Sequence, residues 1–219
     1  MPLDLEEQEQ LDQFKAFWQK YRNLITGVLT AALLIYAAYS GYQWWQNSQA
    51  ASASQLYETM VSAIAKGDKD QTFLAADDLQ KQYGRTPYAA MASLVASKIA
   101  ADTGEASKSI DYLVWAANHA SNNAYLALAK MRLVTQLIER GTEQDFAQAD
   151  GILKESAIKG YEPLWLERRG DWYLAQKNVT QARNSYEEAW KILDQAHEFP
   201  EEARRLLKVK LDAVGGVAQ

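Results

Sequence analysis

Cysteine is absent from this 219-residue chain, proline occurs only four times and histidine twice. Without thiols there is no thiolate nucleophile, no Cys-liganded zinc and no disulfide, a composition that fits reducing and oxidising compartments alike. The two histidines, His119 and His197, lie in different segments, and neither stands in an HExxH or paired-ligand context. Asp194, His197 and Glu198 are near one another in sequence, but a metal wants three or more oriented ligands, and these read as solvated charges ahead of Pro200. A GxSxG elbow, a phosphate-cradling glycine loop and a dinucleotide fingerprint are also lacking. The expectation is a protein with no catalytic residues, no cofactor, no metal and no small-molecule substrate. A formal net charge of −5 argues against a nucleic-acid partner.

Charge itself is missing from one long stretch. No charged residue falls between Arg22 and Glu58, and within that gap LITGVLTAALLIYAAYSGYQWW runs from Leu24 to Trp45. At about 1.5 Å per residue this reaches across a hydrocarbon core of roughly 30 Å. A helix so uniformly apolar has no polar face to offer water. Phe14, Phe17, Trp18 and Tyr21 precede it and Tyr39, Tyr42, Trp44 and Trp45 close it, as aromatic rings at both headgroup levels do. Lys15, Lys20 and Arg22 stand just before the run, and the next cation is Lys66. The positive-inside rule counts those cations and largely ignores the acids at positions 4, 6, 7, 9 and 12. The expected order is a cytoplasmic tail over residues 1–22, a transmembrane helix over 23–46 and an exported domain over 47–219. Ala38 and Ser40 offer a small-x-small pattern to a signal peptidase, but the leading region is long and acidic and the apolar run exceeds a signal core.

The remainder reads as all-α, in short helices separated by turn residues. Expected helices are Ser48–Lys66, Thr72–Tyr83, Tyr88–Asp102, Glu105–Ala120, Ala124–Arg140, Gln144–Lys159, Pro163–Gln176, Thr180–Gln195 and Pro200–Ala213. Gly67, Gly104, Gly141 and Gly160 punctuate them, and Thr86-Pro87 reads as an N-cap followed by proline at the first helical position. Short breaks make neighbours antiparallel.

A repeat emerges from PLWLERRGDWYLAQKNVTQARNSYEEAW. Gly170, Tyr173, Ala182, Tyr186 and Ala189 fall at tetratricopeptide spacing, with small residues where two helices nearly touch and large ones filling the space beside them. The second-helix pattern returns at Ala149, Leu153 and Ser156 and at Ser109, Leu113 and Ala116, with a loop insertion expected around Gly141–Phe146. The fold class that follows is one transmembrane helix ahead of a tetratricopeptide-like α-solenoid. Such arrays bind partners on the face made by their first helices. The register places Leu164, Glu167, Arg168, Asp171 and Leu174 there, with Leu128, Met131, Thr135 and Ile138 from the preceding repeat. In the membrane helix, Gly27 and Ala31, and Ala37 and Gly41, are small-x3-small pairs that allow close helix packing in lipid, and Ala38 is a further candidate for that packing.

In the order of its parts the chain resembles the YfgM-like family, the ancillary subunits of the bacterial SecYEG translocon. The residues that carry the likeness are FKAFWQKYRN before the membrane segment, GYQWW at its end, SASQLYETM, PYAAMASLVASK and, above all, ERRGDWYLAQKNVTQARNSYEEAW. Lys177-Asn178 stands where a glycine-containing turn is common. The resemblance implies a single-pass inner-membrane protein with a periplasmic repeat domain. It also implies association with SecYEG and with the membrane-anchored chaperone PpiD, and contact with exported unfolded chains. A cytoplasmic link to a stress-response regulator is attributed to the family, and the acidic tail offers a place for it. An envelope scaffold acting away from the translocon, or an envelope enzyme with a repeat domain attached, are the alternatives.

Overall fold

The computed structural model describes residues 5–195 and 200–216. His197 and Glu198 of the rejected metal cluster lie outside the described residues. Through those residues run nine α-helices: α1 (Leu5–Ala65), α2 (Lys69–Tyr83), α3 (Pro87–Asp102), α4 (Ala106–His119), α5 (Asn123–Arg140), α6 (Glu143–Leu153), α7 (Glu162–Ala175), α8 (Val179–Gln195) and α9 (Glu201–Ala213). By contacts the chain divides into two compact units, Met1–Gln49 and Ala50–Gln219.

In the first unit the apolar run is helical, and none of its most apolar window is buried. Leu24, Val28, Leu33, Leu34, Ile35 and Tyr36 are all exposed, on every side of the helix. A core helix of a soluble protein would bury such residues. This one is suited to lipid, where a helix satisfies its own backbone polar groups. A fresh helix was expected at Ser48, but α1 passes through residues 46–50 unbroken. QNSQAASASQ is polar yet contains no glycine or proline, so nothing interrupts the hydrogen-bond ladder.

In the second unit the end of α1 shares a buried cluster with α2 and α3, then α3 packs on α4, α5 on α6, α7 on α8 and α8 on α9. Each turn has its own device. Asp68 caps α2 by accepting from the Gln71 N–H, and the Asn122 side-chain Oδ1 accepts from the Ala124 and Tyr125 N–H groups. Thr86 occupies the N-cap position of α3 as expected, but its hydroxyl donates backward to the Tyr83 carbonyl at 2.8 Å. Buried alanines set the helix spacing: Ala53, Ala76, Ala89, Ala92, Ala96 and Ala100 share one cluster with Met60, Phe73, Leu79 and Tyr112. Leu113, Met131, Val134, Leu137, Leu153 and Trp165 form the middle of the core. Ala182, Tyr186, Ala189, Leu207 and Leu211 form its C-terminal end.

Two further expectations need correction. The Gly141–Phe146 insertion does not exist: Gly141 ends α5 in the left-handed conformation, φ 70°, and Thr142 starts α6 at once through a capping box with Asp145. The irregularity lies at the other end. Helix α6 stops at Leu153, whereas periodicity carried it to Lys159, and Ser156 is exposed outside it. The Leu153 carbonyl accepts from the Trp165 indole N–H at 3.3 Å, where a longer α6 would have supplied a backbone donor.

Candidate functional site

The last repeat follows the sequence register closely. Gly170 is buried on α7, and a Cβ placed there would lie 2.3 Å from Cε1 of Tyr186 on α8. Ala182, Tyr186 and Ala189 are fully buried. Glycine is required here by close approach, not by its φ. The Tyr186 hydroxyl, 2.8 Å from Asp171 Oδ1, donates to that carboxylate. Burial and the adjacent Asp171 charge push the phenol pKa well up, so it stays a donor.

The charged residues expected on the first-helix face do come together, but not as an open surface. Arg168 donates to Glu167 at 3.1 Å and to Asp171 at 2.6 Å. Lys210, from α9, reaches Glu167 at 2.6 Å and Asp171 at 2.8 Å. All four side chains are half-buried. Burial works against the Arg168 charge, yet Glu167 and Asp171 outweigh it and its pKa is raised. The cluster therefore clamps α9 onto α7. Lys210 was invisible to the register because it sits beyond the recognisable repeat.

The apolar members are divided. Met131 is 2% exposed and belongs to the core, so it lines no open groove. Leu128, Ile138 and Leu164 are half-buried against that core. Thr135 is half-buried and donates to the Met131 carbonyl at 3.0 Å. Leu174 is exposed at the end of α7. The first helices do run side by side, α3 by α5 and α5 by α7.

In the membrane helix, Gly27, Ala31, Ala38 and Gly41 are exposed, and a Cβ at either glycine meets nothing within 4 Å. At 3.6 residues per turn the four fall within roughly 80° of one another, making one small-residue face.

A feature not anticipated from sequence lies beside α6. Where that helix stops short, a cleft of about 540 Å³ opens between α6, the connection that follows it and α7. Trp165, Trp172 and Tyr173 are among its walls. The Trp172 indole N–H donates to the Phe146 carbonyl at 3.1 Å, and the Trp172 and Tyr173 rings meet edge-on at 5.1 Å. The aromatic density of WLERRGDWY was the available signal; it was absorbed entirely into repeat packing.

The tetratricopeptide repeat-like domain family matches residues 15–216, taking in most of α1 as well as the repeats. The chain is 30% identical over 220 residues to the ancillary SecYEG translocon subunit of Neisseria gonorrhoeae (strain ATCC 700825 / FA 1090), covering 98% of this chain and 100% of that protein. It is 22% identical to the ancillary SecYEG translocon subunit of Haemophilus influenzae (86% of this chain, 91% of that one). It is 27% identical to that of Escherichia coli K12 (83% and 85%).

Proposed function

Since the chain belongs to the tetratricopeptide repeat-like domain family, among the ancillary SecYEG translocon subunits, we propose that it works at the Sec translocon as a membrane-anchored protein-interaction module assisting export. It is a single-pass inner-membrane protein with its repeat domain in the periplasm, and it is not an enzyme. The observation that carries this reading is the pairing of parts in one chain: a helix exposed on all sides over its apolar run, ahead of a domain of stacked helix pairs. Anchoring matters energetically because it raises the local concentration of the domain at the channel exit, so weak contacts suffice.

Finer assignments are our own. Residues 1–22 are the cytoplasmic tail, 23–46 cross the bilayer and 47–219 stand in the periplasm. The face with Gly27, Ala31, Ala38 and Gly41 packs against a translocon helix. The α5 and α7 surface around Leu128, Thr135 and Leu164 meets a membrane-anchored chaperone of the PpiD type, which passes on exported unfolded chains. Glu167, Arg168 and Asp171 contribute by holding α9 in place beside that surface.

The test compares the full chain with residues 47–219 exported behind a cleavable signal, each affinity-purified from solubilised envelopes. Full-length protein should bring SecY, SecE, SecG and the chaperone with it. The fragment should lose the channel subunits. Failure of the full-length chain to enrich any channel subunit would refute the proposal. Cysteines at Gln8→Cys and Gln219→Cys should react oppositely with an impermeant thiol reagent in spheroplasts, with only the C-terminal one labelled.

A further inference from the structure

The cleft beside α6 is built differently from the α5 and α7 surface. On α7 its residues Leu166, Arg169 and Tyr173 lie on the side opposite Leu164, Glu167 and Asp171, as 3.6 residues per turn requires. Its volume, about 540 Å³, lies within the ~300–1,000 Å³ of sites that bury a ligand or a few side chains. The floor is Leu153, Ala157, Trp165, Leu166, Trp172 and Tyr173. Both indole N–H groups are bonded to backbone carbonyls, so the rings are fixed and present carbon to the opening.

The rim decides what enters. Lys154 pairs with Asp150, Lys130 with Glu155, and Arg169 with Glu188 at 2.8 Å. Glu162 has no cation among the described residues; its carboxylate accepts the Gly160 N–H at 2.8 Å. The rim is thus neutralised except for one carboxylate beside an aromatic floor. A small polar metabolite needs several converging unpaired polar groups, which this rim does not supply. An extended polypeptide needs an apolar anchor and a complementary charge.

We infer that this cleft is a second polypeptide-docking site, taking an aromatic or large aliphatic side chain flanked by Lys or Arg. The inference rests on the reading that the domain meets polypeptides at the membrane, and it names the chemistry of one such segment. The cleft is walled by α6 from Asp150, by the connection through Ala157, and by α7 from Glu162 to Tyr173.

Full-length protein in lipid nanodiscs is titrated with three fluorescein-labelled decapeptides of Gly and Ser. One carries two Phe flanked by Lys, one two Phe flanked by Glu, and one has Ser in place of Phe. The Lys–Phe peptide should bind about tenfold tighter than either of the others. Ala157→Trp, which places an indole in the cleft, should weaken the Lys–Phe peptide about tenfold. Glu162→Gln keeps the Gly160 hydrogen bond and should abolish most of the preference for Lys over Glu while leaving the dependence on Phe. Should Ala157→Trp misfold by circular dichroism, Glu162→Gln decides alone. Unchanged discrimination in Glu162→Gln, or unchanged affinity in a folded Ala157→Trp, overturns the inference. So does a wild type that sediments as a dimer and becomes monomeric in Ala157→Trp, because the occupant is then a second copy. Loss of peptide binding with intact co-purification of SecYEG would remove this site alone. Peptide binding without SecYEG would remove the translocon assignment instead.

Discussion

In α5/α6 the turn is well made and the second helix is short; in α7/α8 the second helix is long and the turn is strained. Gly141 takes φ 70° at no steric cost, and Thr142 and Asp145 cap α6 reciprocally, with Arg140 tied to the buried Asp145. That pair then ends early and leaves a cleft. Lys177, between α7 and α8, takes φ 63°, a conformation costing a residue with a Cβ roughly 1–2 kcal/mol. This pair recovers the cost through Gly170 against Tyr186 and the clamp on α9. A repeat scaffold therefore tolerates a defect in turn or in packing, provided the other is sound, and only the packing defect opens a surface.

The sharpest way to break the contrast is at the glycines. Gly170→Leu should cost about 3 kcal/mol, because fully buried Tyr186 cannot retreat, and lower Tm by roughly 6–12 °C. Gly151, on the exposed side of α6, has open space around its Cβ position. Gly151→Ala should be neutral or gain up to about 1 kcal/mol in the same thermal melt. Equal losses for both would dissolve the distinction between the pairs.

Next in size is the clamp. Lys210→Ala leaves Glu167 and Asp171 with Arg168 as their one cation among the described residues, Asp171 keeping the Tyr186 hydroxyl, and should cost about 2 kcal/mol. Hydrogen exchange should speed up first in α9, with α5/α6 unchanged.

The capped turn should respond less and with a pH signature. Thr142→Ala removes a side-chain acceptor for the Asp145 N–H and should cost about 1 kcal/mol. The Arg140 hydrogen bond, aided by Thr142 and opposed by burial, holds the Asp145 carboxyl well below the usual carboxylate range. The stability it contributes is present above the unfolded carboxylate pKa and is lost as pH falls toward the folded one. Melting of the wild type should therefore decline with acid below about pH 4 more steeply than that of Asp145→Asn.

Smallest is the strained turn. Lys177→Gly should raise stability by about 0.5–1 kcal/mol, relief of the left-handed conformation being partly offset by the freer unfolded chain. A loss on denaturant titration would show that the turn is not strained.

Legibility in the sequence followed the range of the forces involved. The membrane run and most helix limits rest on local composition and turn chemistry, so they were readable to within a residue or two. The α8 seam was readable because small residues at fixed spacing have a single packing consequence. Three features were not. The end of α6 depends on Trp165, a residue in the next helix. The α9 clamp depends on Lys210, 39 positions from Asp171. Met131 reads as groove-facing by register, but its burial is set by neighbouring helices. All three are tertiary decisions.

The central claim is that the anchor brings this repeat domain to the Sec channel, and photocrosslinking inside the membrane tests it most directly. A photoreactive amino acid at position 31 or 38, on the small-residue face, should yield ultraviolet-dependent adducts to a SecYEG subunit. At position 36, about 180° round the helix from Gly27, adducts should be markedly weaker. Adducts absent from all three positions in a correctly inserted protein would contradict the account.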